Sequence, residues 1–164
     1  LDNEEIGIIY RKTERLTLLI LLISLPAFGV VYLYENSGNL FWDLPRLPGF
    51  INGFLIGFSI AGLIAQYVLF HKKVKLSFAE NDLVEKVRIF LNATAQRFWI
   101  LFFVSIFATV GLLFNQNPVY VVIFAVTLLF FSLAKPTPDR MARLMKLKKE
   151  DRELIRDASR PRIN

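Results

Sequence analysis

The chain has 164 residues, 54% of them apolar and 14% aromatic, with 16 Phe, no Cys and a formal charge of +6; its mean hydropathy is +0.45. An apolar fraction above the roughly 45 to 50% of ordinary soluble domains excludes a disordered or low-complexity chain. The missing cysteine excludes a disulfide scaffold, a thiol nucleophile and a zinc–thiolate centre.

Charge and apolar residues are segregated along the chain. Residues 1–15 form a polar amino-terminal segment that carries Arg11, Lys12 and Arg15. Four stretches free of Asp, Glu, Lys, Arg and His follow, at 16–34, 50–70, 98–114 and 119–134. A helix rises about 1.5 Å per residue and the hydrocarbon core is about 30 Å thick, so the first two cross comfortably and the last two are short. Basic residues precede 16–34, but no small-residue cleavage site follows it, and it reads as a retained first helix.

Pro26 removes one backbone donor from the first span and predicts a kink there, flanked by Ser24 and Gly29. The second span carries the most specific pattern in the apolar part. Gly53, Gly57, Ala61 and Ala65 recur every four residues, with Gly62 beside them, as helices that approach closely in lipid require. The row suits either another helix of this chain or a partner subunit. Ser59 and Gln66 are the other polar side chains to note on this span, Gln66 close enough to its end to reach the interface. Together with Ser24, Pro26 and Gly29 they are the candidates for a kink or cavity.

Past the second span, Ser77-Phe-Ala-Glu80 has the form of a capping box, which predicts an amphipathic helix over about 78–91. Leu83, Val84, Val87, Phe90 and Leu91 form its apolar stripe. With no sizeable soluble domain to receive that stripe, Leu83, Val87, Phe90 and Leu91 are expected against the inner leaflet or a partner. Between the third and fourth spans, Asn115-Gln-Asn-Pro118 predicts a tight antiparallel hairpin. After the fourth span, Thr137 as cap, Pro138 in the first turn and Asp139 beside the positive helix end predict a helix over about 138–147, and a second follows over about 149–158. The tail, 135–164, holds ten basic and five acidic residues. Lys146, Lys148 and Lys149 are its expected lipid or partner contacts.

Nineteen of the twenty Lys and Arg residues fall in 1–15, 71–97 and the tail; Arg46 is the exception. The positive-inside rule then puts both termini and the central loop in the cytoplasm, in the cytoplasmic (inner) membrane of a bacterium. Tyr34, Trp42 and Tyr120 are expected near the outer interface, and Tyr67 and Trp99 near the inner one.

The chemistry-bearing patterns are missing. His71 is the only histidine, so a two-histidine haem pair or a His-rich metal site has nothing to build on. Phosphate loops and nucleophile elbows are absent, and no ionisable group interrupts the four apolar runs, as an ion-coupled carrier would need. The basic tail is interleaved with carboxylates and has no stacking aromatic, which argues against nucleic acid. The expectation is an all-α integral membrane protein with four transmembrane helices in two hairpins, a cytoplasmic interfacial helix and a short helical basic carboxy-terminal tail. Its expected role is a non-catalytic accessory or scaffold subunit of a larger membrane complex, with no cofactor or metal. Its partners would be anionic inner-leaflet lipids and other membrane subunits. An oligomeric small channel or transporter is the alternative, and a lipid-modifying enzyme using Glu35 and Asp43 ranks last.

Overall fold

The structure is a computed structural model and describes residues 2–38 and 43–161. These residues form six α-helices and no strand: α1 (Asp2–Asn36), α2 (Gly49–Ser77), α3 (Leu83–Asn115), α4 (Val119–Ala134), α5 (Pro138–Leu144) and α6 (Lys149–Ser159). The first three are each long and apolar enough to cross a membrane, and α4 qualifies only when taken together with α5. The protein is therefore an all-α integral membrane protein with three to four candidate spans. Trp42 lies outside the described residues.

At 35, 29 and 33 residues, α1, α2 and α3 exceed the roughly 20 residues a span needs. The surplus belongs to a second set of contacts. The chain divides into two compact units, unit 1 from Leu1–Leu18, Tyr67–Arg97 and Ala134–Asn164, and unit 2 from Leu19–Gln66 and Phe98–Leu133. The divisions at Leu18, Gln66 and Arg97 fall inside helices and the last at the end of α4.

Unit 2 is built from the apolar stretches of four helices. Phe28 of α1 stacks on Phe124 of α4 with centroids 3.8 Å apart. Leu55, Val104, Ala108, Leu112 and Ile123 complete a core drawn from α2, α3 and α4. The α3–α4 hairpin forms as the Asn115–Pro118 break predicts. Gln116 takes a left-handed φ of 52°, and the Asn117 carboxamide oxygen accepts from the Val119 amide at 3.0 Å. Tyr120, one of the rings expected near the outer interface, is fully buried. Its ring lies against Gly111, and its hydroxyl bonds the Asn52 side chain.

Unit 1 has a core of its own. Ile6 and Tyr10 of α1, Phe70 and Val74 of α2, Val84, Val87, Phe90 and Leu91 of α3, Met141 and Met145 from the α5 region, and Ile155 of α6 form one buried cluster. The polar amino-terminal segment is thus the first turns of α1. The Tyr10 hydroxyl donates to the Pro136 carbonyl at 2.9 Å. Burial, reinforced by the Glu14 carboxylate, pushes the Tyr10 phenol up to about 12, so it stays a neutral donor at physiological pH.

Three expected boundaries move. α2 continues to Ser77, whose hydroxyl donates to the Val74 carbonyl at 2.6 Å and caps nothing. The new helix starts at Leu83 instead, with the Asp82 carboxylate accepting from the Val84 amide at 3.2 Å. No separate helix over 78–91 exists, since α3 runs unbroken from Leu83 to Asn115. The third shift is in α5, which is capped by Thr137 as predicted but stops at Leu144, short of 147. Its end is a Schellman turn. The Leu147 amide donates to Ala142 at 3.0 Å and the Lys146 amide to Arg143 at 3.3 Å, with Lys146 at φ 51°.

Candidate functional site

α2 presents two different faces within unit 2. Leu55, Ser59 and Gln66 are buried and share a face with Gly62, at the i, i+4, i+7, i+11 spacing of one helical stripe. On this face Gly62 is a true contact point, for a Cβ there would lie 2.6 Å from Val104 Cγ2. The row of small residues lies on the other side. Gly53, Gly57 and Ala61 are exposed, and a Cβ added at Gly53 or Gly57 would meet nothing within 4 Å. A four-residue step overshoots the helical repeat by about 40°, so the row winds around α2 and Ala65 ends half-buried. Of the three glycines singled out for packing, Gly62 makes a close approach to another helix of this chain and Gly53 and Gly57 do not.

Phenylalanines stand beside the outward row. Phe50, Phe54 and Phe58 are exposed at 77%, 61% and 53%, large enough to form a ridge next to a floor of backbone. Phe54 and Phe58 lean on each other with centroids 5.0 Å apart. A ridge beside a groove is the surface that a second helix fits.

The five kink or cavity candidates divide between buried and outward positions. Ser24, Ser59 and Gln66 are buried, whereas Pro26 is exposed and Gly29 faces open space. α1 continues as one helix through Pro26. Ser105 Oγ donates to Ser24 Oγ at 3.1 Å, a polar clasp between α1 and α3. Ser59 donates to the Leu55 carbonyl at 2.8 Å. Gln66, expected to reach the interface, is fully buried and donates to the Leu63 carbonyl at 3.0 Å. These side chains bond within the bundle, which lowers the cost of burying them.

The stripe expected against lipid or a partner is covered by the chain itself. Val87, Phe90 and Leu91 are at most 2% exposed, and Leu83 packs against the same cluster. Sequence periodicity located the stripe, but its cover comes from Ile6, Met141 and Ile155, distant in sequence. Lys146, Lys148 and Lys149, the expected lipid or partner contacts, are exposed.

Several positions had no mark in the sequence analysis. Asp82 is one, although Asp82-Leu-Val-Glu85 fits the same cap signature as Ser77 to Glu80. Gly7 is another, where a Cβ would sit 2.9 Å from the Ala158 carbonyl oxygen and hold α6 off α1. Gly111, where a Cβ would overlap the Tyr120 ring at 2.1 Å, is the third. Arg97 is buried at 6% exposure, its guanidinium 4.8 Å from the centre of the Phe70 ring.

His71 lies on the Tyr67 ring with centroids 4.1 Å apart, its Nδ1 2.9 Å from the Tyr67 carbonyl oxygen. Among the described residues no three or more His, Cys, Asp or Glu side chains gather as a metal site would require. Comparison of the chain with protein-family models, with curated proteins and with solved structures finds no match.

Proposed function

We propose that this protein is a non-catalytic accessory or scaffold subunit of a larger membrane complex, binding another membrane subunit through α2. The observation that carries this reading is the outward floor of Gly53, Gly57 and Ala61 beside the ridge of Phe50, Phe54 and Phe58. Lipid chains are as apolar as any helix, so association in a membrane depends on close van der Waals approach, and backbone bare of side chains permits it. The chain's own helices pack on the opposite face, through Leu55, Ser59 and Gly62.

The placement of Lys and Arg supports a topology with both termini and the 71–97 segment on the cytoplasmic side of a bacterial inner membrane. In that topology unit 1 is the cytoplasmic part, and its basic carboxy-terminal helices meet anionic lipid.

Gly57→Leu tests the interface, because a Cβ added at this position meets nothing within 4 Å in the chain itself. Expression in the native host, extraction in mild detergent and mass spectrometry of co-migrating proteins should show partners with the wild type that are reduced at least about tenfold in the variant, the loss expected when a bulky group separates two helices. The melting temperature of the purified subunit should be unchanged. Partners retained in full by Gly57→Leu would remove α2 as the interface. Selective ion or solute flux through the purified protein in vesicles would replace the scaffold reading with that of a channel or carrier.

A further inference from the structure

Unit 1 carries a strongly charged hollow that the subunit reading does not use. It is an open cleft of about 610 Å³ bounded by α5 and α6. Arg140, Arg143, Lys146 and Arg152 line it, against the single carboxylate of Asp139. Asp139 meets Arg152 at 3.5 Å. The Arg140 guanidinium donates to the Lys135 carbonyl at 3.2 Å and lies close enough to buried Arg97 for the two like charges to repel. Four cations converging on one hollow make a site of positive potential that favours an anion.

Lys146 gives a second, independent indication. It occupies the left-handed position of the Schellman turn after α5, at φ 51°, where glycine fits without steric cost and a side chain does not. The turn itself is served better by glycine. The Lys146 ammonium lies 5.7 Å from the centre of the Phe78 ring and lines the cleft, so a lysine held there against backbone preference brings its charge to that ring and to the hollow.

The place of the cleft in the chain narrows the anion. Thr137 at its edge is three residues beyond Ala134, where the apolar run of α4 ends, so the cleft begins where the chain leaves hydrocarbon for headgroups. Arginine forks match phosphate oxygens in pairs, and lysine adds a point charge. The volume exceeds that of a bare phosphate ion and leaves room for an attached glycerol.

We propose that the α5–α6 cleft binds a phosphate group, that of an anionic glycerophospholipid, with Arg143 and Lys146 as its direct ligands and Arg140 and Arg152 completing the positive wall. This deepens the lipid-contact part of the proposed function and is independent of the α2 interface.

The test is thermal unfolding of the purified full chain in neutral detergent, with added phosphatidylglycerol, with phosphatidylcholine, or with inorganic phosphate at matched ionic strength. Phosphatidylglycerol should raise the melting temperature of the wild type by a few degrees and phosphatidylcholine should not. Lys146→Gly should melt at or above the wild-type temperature in detergent alone, because the backbone is relieved, yet lose at least about half of the phosphatidylglycerol shift. The double variant Lys72→Gln, Lys75→Gln, at exposed positions outside the cleft, should keep it. A rise confined to phosphatidylglycerol assigns the phosphate to a lipid. An equal rise with inorganic phosphate keeps the site but assigns it to a soluble phosphate. Equal losses in Lys146→Gly and the double variant overturn the site and leave diffuse attraction to anionic lipid standing. No rise with either phosphate source overturns the site and the lipid-contact reading together.

Discussion

A missing side chain serves opposite purposes at different glycines of this protein. At Gly57 it leaves a surface bare, while at Gly62 and Gly111 it lets two helices of unit 2 touch. Gly111 is the extreme case, because the Tyr120 ring against it is fully buried and tied to Asn52 through its hydroxyl, so it has no free rotamer into which to retreat. Gly111→Ala should lower stability by about 1 to 3 kcal/mol or more, the usual cost of overpacking. Gly29→Ala is the control, since a methyl there meets nothing within 4 Å. Thermal unfolding in detergent measures both, and equal melting temperatures would contradict the close packing of Tyr120 on Gly111.

Two successive cap signatures compete at the start of α3, and the choice between them decides where one helix ends and the next begins. Ser77 is buried and bonded back to its own helix. Asp82 sits at an exposed turn with its carboxylate on the Val84 amide and its carbonyl accepting from the Lys86 amide at 3.0 Å. Asp82→Ala should therefore cost about 1 kcal/mol, with Asp82→Asn retaining most of it. Ser77→Ala should cost clearly less, because the bond lost is local to α2. Denaturation of the full chain resolves the order, and a larger loss at Ser77 would reinstate it as the cap. At the far end of the same helix, Asn117 does what its residue type suggests by capping α4, while Gln116 takes the left-handed position that glycine or asparagine would fill more easily.

The molecule as a whole has two buried cores, one in each unit. Unit 2 turns large apolar side chains outward, among them Leu22, Phe50 and Leu129, as a lipid-facing bundle must, while unit 1 buries Ile6, Phe90 and Met141 under a surface that mixes exposed Lys and Arg with exposed Ile8, Leu76 and Phe78. Whether α4 completes a span decides the sidedness of the ends. Four crossings put both termini on one face, and three put them on opposite faces. The chain has no native cysteine, so Asn3→Cys and Ser159→Cys can be labelled one at a time with an impermeant maleimide in oriented vesicles. Labelling of both from the same face is expected from the distribution of basic residues; labelling from opposite faces would leave three crossings.

The residue order alone determined the class of the protein, the approximate positions of its apolar helices, the α3–α4 hairpin and the Thr137 cap. These depend on local quantities, because hydrophobic transfer accumulates along one segment and a cap is a bond between near neighbours. Only the tertiary structure decided which faces are covered. Val87, Phe90 and Leu91 looked available for lipid, and the row of small residues looked equally suited to the chain's own helices. Packing reversed the first and turned Gly53, Gly57 and Ala61 outward, because burial is set by segments far apart in sequence, such as α1, α5 and α6 around α3. Periodicity shows that a helix has a face; only its neighbours in space show what that face meets.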